Sequence, residues 1–266
     1  MRLIFLALLF ASLAANHVEA TSVSYLYGKK FRDDLGYRPN KTTLTIENFS
    51  LWEYGTVFFF YDITEPMHRD QGPKYWSNQF YGSIAPTFSL TKMTGKSWSK
   101  GFVKDVSLRT EMENGSGNGY ADFQNYFYGL QYDLAVPGFD FFSFNTVVRD
   151  NPKVKGVGFQ MGMFWQATWD YGRWKRFKFT GFLATSPWNG NSNRWGSNNH
   201  TGAFNSLDKH GRFLTTQPQF LWDIGYGWTG KPNRIETGIE YAHFVHRFQF
   251  ANKNESVPQV MVKISY

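Results

Sequence analysis

The chain has 266 residues, a formal net charge of +7 and no cysteine, and 20% of its residues are aromatic. The lack of cysteine excludes disulfides as a source of stability. So many rings at a mean hydropathy of −0.44 are also unusual for a water-soluble β-protein. Transmembrane β-barrels have this balance, because they turn apolar side chains outward to lipid and polar ones inward to a wet interior.

The N-terminus predicts export from the cytoplasm. Arg2 precedes the apolar run "LIFLALLFASLAA", and the small residues Val18 and Ala20 follow it as in a signal-peptidase site. The run is shorter than the ~20 residues that a membrane-spanning helix needs. We therefore expect a signal peptide at 1–20 and a single barrel domain at 21–266.

Beyond the signal, alternating segments of roughly ten residues are separated by Gly, Pro, Asn, Asp and Lys, as in a barrel meander. The pattern predicts an all-β fold, a transmembrane antiparallel up-and-down β-barrel of about 12 strands. The segments lie near 22–30, 41–51, 54–63, 77–92, 101–113, 120–134, 139–149, 157–170, 174–186, 212–224, 234–248 and 256–266.

Inside these segments one side is apolar and the other ionic. In 101–113, Val106 and Leu108 alternate with Asp105, Arg109 and Glu111. Charged groups are almost never fully buried without a partner, so the ionic side must meet water. A soluble sandwich also has polar strand faces, but here aromatic residues gather near strand ends, which is typical of membrane barrels.

The connections and the last strand fit the same fold. Short connections such as 136–138 alternate with long ones such as 187–211, and 115–119 ("GSGNG") predicts a hairpin turn. In the last segment Val260 and Tyr266 share one side. We expect this strand to close the barrel against the first one, leaving no sheet edge in the membrane.

Other motifs predict no further chemistry. The densest basic run, 173–178, is a strand with alternating sides, so we expect no nucleic-acid partner. His243 and His246 point to opposite sides of a strand and cannot share one ion, so we expect no metal, and no motif predicts another cofactor. No G-x-S-x-G elbow is present, which favours a protein that is not an enzyme.

Charged and aromatic side chains are expected to line the interior together. Rings stack on rings and ionic groups bind hydroxyls, so such a pore suits a solute with an aromatic end and a polar end. Charges that simply pair across a narrow barrel are an equally good interpretation of any single residue. The predicted pore-lining residues are Glu47, Phe49, Trp52, Phe60, Asp62, Arg109, Glu111, Asp133, Arg149, Arg176, Lys178, Glu236 and Glu240.

Three stretches carry a family resemblance: "TLTIENFSLWEYGTVFFFYD" (43–62), "IAPTFSLTKMTG" (84–95) and "YGLQYDLAVPGFDFFSFN" (128–145). They resemble the Tsx-like nucleoside-specific channels of bacterial outer membranes. The resemblance implies a monomeric twelve-stranded barrel that passes nucleosides by passive diffusion. On matching positions it implies Glu47, Phe49, Trp52 and Asp62 as pore residues.

The sequence thus predicts a passive channel in the bacterial outer membrane for nucleosides or similar small polar-aromatic solutes. Its expected partners are the solute, outer-membrane lipid and lipopolysaccharide. Two alternatives stay open: a barrel enzyme that acts on lipid, and a structural or adhesive barrel without transport.

Overall fold

The computed structural model describes residues 17–31, 40–66, 79–117, 120–152, 157–186, 213–245 and 254–266. These residues form thirteen strand segments and two short helices. The strands are β1 (His17–Gly28), β2 (Lys41–Trp52), β3 (Gly55–Thr64), β4 (Gln79–Ser89), β5 (Val103–Gly117), β6 (Tyr120–Leu134), β7 (Phe141–Asp150), β8 (Val157–Asp170), β9 (Arg176–Ser186), β10 (Phe213–Thr216), β11 (Gln219–Trp222), β12 (Ile235–Val245) and β13 (Glu255–Ser265); the helices are α1 (Leu90–Thr94) and α2 (Ile224–Thr229).

The sheet closes on itself as an antiparallel barrel with twelve strand positions. Each strand pairs with its neighbours in sequence, and β10 and β11 share one position because both pair with β9 and with β12. The last strand, β13, pairs with β12 and also with β1, where Tyr25 faces Val262. The predicted up-and-down barrel and its closure by the final strand are confirmed.

The shared position of β10 and β11 is interrupted at Gln217 and Pro218. Proline has no backbone N–H to donate to a ladder, so a strand breaks there. On β9, Gly181 has a φ of 153°, and a Cβ at that position would lie 2.7 Å from Gln217 O. Pro218 O still accepts from Tyr241 N at 2.9 Å, so the ladder continues on the β12 side.

Both helices lie in connections at one end of the barrel and have complete caps. Ser89 Oγ accepts from Lys92 N at 3.1 Å at the start of α1, and Asp223 accepts from Tyr226 N at 2.9 Å at the start of α2. Gly95 and Gly230, both at positive φ, end them. The predicted segments 77–92 and 212–224 are therefore each too long, because their last residues cap or begin a helix.

We call this end the short-turn end: all its connections between strands are described, and three of them are short. The turn Glu53–Tyr54 joins β2 to β3, residues 135–140 join β6 to β7, and residues 171–175 join β8 to β9. The C-terminal Tyr266 also lies here, with its N–H donating to Thr21 O at 2.9 Å. The predicted loop 187–211, His246 and the last two residues of the predicted 115–119 turn lie outside the described residues.

The predicted signal peptide stays a prediction. Residues 1–16 lie outside the described residues, and β1 begins at His17, four residues before the predicted mature start. Within the described ranges, neither helix has the length and hydropathy needed to cross a membrane.

Candidate functional site: the polar interior of the barrel

Strand register assigns every residue to one side of the barrel wall, because directly paired residues in neighbouring strands share a side. From Ser22 the pairing runs to Glu47, then to Phe60, Ser83 and Glu113. The same parity continues around the sheet and returns through Lys263 to Ser24. These residues form the inward side.

The outward side is apolar and aromatic. On β13, Val260 is 61% exposed and Gln259 only 4%, and on β12, Ile239 is 52% exposed and Glu240 only 6%. Outward rings such as Phe177 and Phe220 stack on each other at 5.9 Å. A surface with this many exposed apolar side chains is not expected to contact water.

Twelve of the thirteen predicted pore-lining residues lie on the inward side, and Trp52 does not. Trp52 pairs with Gly55, one position out of phase with Glu47 and Phe49. Its ring meets Phe88 edge-on at 5.4 Å and Tyr54 at 5.5 Å, on the outward side. The placement inferred from the resemblance is wrong for this residue, because side chains of a strand alternate and Trp52 is an odd number of residues from both.

Four inward carboxylates and two ammonium groups form what we call the carboxylate wall. It contains Glu47, Asp62, Lys178, Glu236, Glu240 and Lys263, on β2, β3, β9, β12 and β13. Lys263 Nζ binds Glu47 Oε1, which also accepts from Ser22 Oγ at 3.0 Å. One carboxylate of this wall is thus neutralised by an ion pair between β2 and β13.

A second ion pair of this wall is more deeply buried. Lys178 Nζ lies 2.7 Å from Glu236 Oε1, and the Glu236 side chain is 1% exposed. The contact is off the hydrogen-bond direction, and neither Glu236 oxygen has a hydrogen-bond partner among the described residues. Two charges buried this far must stay together, since separating them would leave an uncompensated charge.

Glu240 and Asp62 accept hydrogen bonds from neutral groups among the described residues. Three amide groups converge on the Glu240 carboxylate: Gln219 Nε2 and Gln259 Nε2 both donate at 2.8 Å, and Gln217 Nε2 at 3.0 Å. Asp62 accepts from Thr45 Oγ1 at 2.6 Å. Neither carboxylate has a Lys or Arg within ion-pair distance in the described part of the chain.

Apolar residues separate the charged layers of the carboxylate wall. Along β13, Met261 lies between Gln259 and Lys263 on the same side, and Leu26 and Leu221 pack with it in one buried cluster. Packing this dense excludes water from the neighbouring ion pairs, which strengthens them.

On the opposite side of the barrel, β5 to β8 carry what we call the arginine wall: Arg109, Glu111, Glu113, Phe127, Arg149 and Phe164. Arg109 Nη2 lies 2.6 Å from Glu111 Oε2, and Nη1 donates to Gln131 Oε1 at 2.9 Å. The guanidinium also lies over the Phe164 ring, 4.9 Å from its centroid. Arg109 is thereby fixed by a charge, an amide and a ring.

Arg149 meets rings instead of carboxylates. Its guanidinium lies 5.4 Å from the centroid of Phe213 and 5.9 Å from that of Phe127. Its Nε has no hydrogen-bond partner among the described residues. Cation–π contact is therefore the main direct interaction of this buried guanidinium.

Further rings stand beside ionisable groups on the inward side. Phe60 contacts Phe58 at 6.1 Å and Tyr81 at 5.5 Å, and Tyr81 Oη donates to Glu113 at 2.6 Å. Phe164 stacks on Phe182 at 6.3 Å. Flat apolar surfaces thus lie next to hydrogen-bonding groups on both sides of the interior. Phe49 lies inward on β2.

The two remaining predicted residues lie toward the short-turn end. Asp133 accepts from Gln131 Nε2 at 3.0 Å. Arg176 Nη1 lies 2.6 Å from Asp170 Oδ2, and its Nε lies 3.4 Å from Asp223 Oδ2. Because Asp223 is also the cap of α2, Arg176 connects the start of β9 to that helix.

Sequence reasoning missed several inward groups that complete this interior. Tyr81, Gln217 and Gln219 donate to its carboxylates, and Phe127 and Phe182 supply rings. Strand parity alone could have found Phe127 and Phe182. Gln217 could not be found this way, because it lies in the break between β10 and β11.

Among the residues that the structure describes, no group of three or more acidic or histidine side chains is arranged to hold a metal ion. His243 Nδ1 lies 2.7 Å from Ser256 Oγ on the outward side. The described inward side chains offer ionic contact, hydrogen bonding and ring stacking.

These features define a closed twelve-stranded antiparallel β-barrel with an apolar, aromatic outside and an inside of paired charges, amides and rings. Comparison with known proteins finds a solved structure described as "KdgM porin", which has a TM-score of 0.45 and 10% sequence identity and covers 92% of this chain and 99% of its own. No protein-family model matches the sequence. No curated protein matches it either.

Proposed function

We propose that this protein is a channel of the bacterial outer membrane, rather than an enzyme, and that it passes small polar-aromatic solutes passively, with nucleosides as the leading candidates. The observation that carries the proposal is the register of the closed barrel, which turns rings and aliphatic groups outward and ionic groups inward on successive residues. Sheets that close completely can span lipid, because no backbone group is left unpaired.

The interior has the two kinds of surface that a nucleoside would need. A base is flat and can stack on Phe60, Phe164 or Phe182, and ribose hydroxyls can donate to carboxylates such as Asp62 and Glu111. The resemblance to Tsx-like nucleoside channels in 43–62, 84–95 and 128–145 supports the same solute class. In this proposal the protein is a monomer, lipid and lipopolysaccharide surround its outward side, and the short-turn end faces the periplasm.

Planar-bilayer recording of the purified full-length chain tests the proposal. We expect stepwise current in KCl that falls as adenosine or thymidine is added, because a solute held in the interior obstructs ions. Current that neither nucleoside reduces would contradict the solute class. No current at all would contradict the channel and favour a structural barrel or a barrel enzyme acting on lipid.

A matched pair of variants tests the placement of the solute. Phe60→Ala removes an inward ring, and Phe220→Ala removes an outward one that is 53% exposed. We expect Phe60→Ala to weaken nucleoside block and Phe220→Ala to leave it unchanged. Equal effects of the two variants would show that the rings on the inward side do not contact the solute.

A further inference from the structure

The charge inside the barrel differs in sign from the charge of the whole chain. The formal net charge of the chain is +7. Many of the basic residues are outside the interior, in exposed positions at the short-turn end of the barrel. They are Lys92, Lys96, Lys100, Lys104, Arg173, Lys175, Lys231 and Arg234.

The carboxylate wall, in contrast, has more acidic than basic groups. Its four carboxylates and two ammonium groups leave this wall a formal charge of −2. Both ammonium groups are already committed to Glu236 and Glu47. The unneutralised charge is therefore on Asp62 and Glu240.

Both carboxylates lie on the inward side of the carboxylate wall. Asp62 pairs with Thr45 and Glu47 with Phe60, so Asp62 and Glu47 are inward neighbours on β3 and β2, and Glu240 lies inward on β12 opposite Gln259. Among the described residues, Glu240 accepts from amides and Asp62 from a hydroxyl, and such donors orient a carboxylate without cancelling its charge. Both Glu236 oxygens also lack a hydrogen-bond donor in the described part of the chain, although the residue is 1% exposed.

The arginine wall does not compensate for this excess. Arg109 is paired with Glu111, and Glu113 lies on the same inward side as Arg149, because their partners Asn125 and Phe127 are two residues apart on β6. In the part of the chain that the structure describes, Glu113 itself accepts from Tyr81 and Asn125. Both walls together therefore present more negative than positive charge to anything inside the barrel.

We propose that the interior of this barrel selects small cations and amine-bearing solutes over anions, and that Asp62 and Glu240 are the residues that set this preference. The proposal rests on the channel function proposed above. Rings of Asp and Glu make pores cation-selective, because the negative potential raises the local concentration of cations and repels anions in a narrow, low-dielectric space.

The reversal potential of the full-length protein in a bilayer with a KCl gradient at pH 8 tests this inference. We expect K⁺ to be about twofold or more as permeable as Cl⁻, although the net charge of the chain alone would favour Cl⁻. A ratio of one or below would overturn the inference while leaving the channel intact. Absence of current would overturn the channel function itself.

Single substitutions identify the residues responsible. Glu240→Gln and Asp62→Asn each remove one charge and keep a similar shape, and we expect each to lower the K⁺/Cl⁻ permeability ratio, with the double variant near one. Glu53→Gln removes the same charge at the exposed turn between β2 and β3 and should leave the ratio close to that of the unmodified protein. A ratio unchanged by Glu240→Gln and Asp62→Asn would show that other groups set the selectivity.

If a variant does not assemble, the reversal potential of the unmodified protein still tests whether the interior prefers cations over anions. A further variant, Arg149→Gln, removes a cation from the interior and should raise the ratio. A fall in the ratio on Arg149→Gln would contradict the electrostatic origin of the selectivity.

Discussion

The carboxylate wall and the arginine wall hold their charges by different means. In the carboxylate wall, Glu240 is held by three glutamine amides and Asp62 by one threonine hydroxyl. In the arginine wall, Arg109 and Arg149 lie over the rings of Phe164, Phe127 and Phe213. Glu240 and Asp62 thus lie among neutral donors, and both arginines lie against aromatic faces, in addition to the ion pairs that each wall contains.

The difference follows from what each ion can bind. A carboxylate only accepts, and up to four lone-pair sites can be filled by amide and hydroxyl donors. A guanidinium is planar and weakly hydrated, so a ring face can replace part of its water. In both arrangements an ionic group can lie inside a narrow barrel without a counter-ion of its own. Part of its charge then stays available to a solute.

The largest effect is expected from breaking the buried ion pair of the arginine wall. Arg109→Leu removes the cation from Glu111, which then keeps the Ser83 hydroxyl at 2.5 Å as its hydrogen-bond donor among the described residues. Loss of one partner of a buried pair should lower the free energy of unfolding by about 3 kcal/mol. Urea titration of the protein in lipid vesicles measures this change.

An exposed charge provides the control for this prediction. Lys96→Leu, in the connection between β4 and β5, should change the free energy of unfolding by no more than about 0.5 kcal/mol. If Arg109→Leu lowered the free energy of unfolding no more than Lys96→Leu does, the buried ion pair would not stabilise the arginine wall.

Alternation in the sequence predicts which side chains point inward, but it does not predict how these side chains divide between the two walls. The inward placement of Arg109, Glu111 and Glu240 follows from strand parity, which also gave the twelve strands and the closing role of β13. Which wall each charge belongs to depends on the closure of the sheet and on its stagger, and no local pattern encodes these. The approach of Lys263 to Glu47 joins residues more than two hundred positions apart.

In the carboxylate wall, the free energy of unfolding should depend more on the hydrogen-bond acceptor that Glu240 provides than on the charge of Glu240. Glu240→Leu leaves the amides of Gln217, Gln219 and Gln259 without their shared acceptor inside the barrel. Unsatisfied buried amides should lower the free energy of unfolding by about 2 kcal/mol. Glu240→Gln keeps one acceptor oxygen and should cost about half as much.

The neighbouring residue Ile239 controls for strand position. Ile239→Leu changes the outward side of the same strand, where the side chain is 52% exposed, and should leave the free energy of unfolding within about 0.5 kcal/mol. Equal losses for Glu240→Leu and Glu240→Gln would mean that the charge, and not the amide contacts, stabilises this wall.

A smaller effect is expected from the ring that supports Arg109. Phe164→Leu keeps an apolar side chain but removes the aromatic face at 4.9 Å, and should lower the free energy of unfolding by about 1 kcal/mol. In an Arg109→Leu background the same substitution should cost less, since no cation remains over the ring. Additive losses in this double-mutant cycle would contradict the cation–π contact.

The smallest effect is expected at Trp52, which belongs to neither wall. Trp52→Phe keeps an outward ring against Phe88 and Tyr54 and touches nothing on the inward side. Conductance, nucleoside block and the K⁺/Cl⁻ permeability ratio should all match the unmodified protein, whereas Phe49→Ala, on the inward side of the same strand, should alter at least the nucleoside block. A change in block on Trp52→Phe would mean that β2 is shifted by one residue against its neighbours, because a shift of one exchanges the two sides of a strand. The bilayer records of these two variants therefore test the register on which both walls depend.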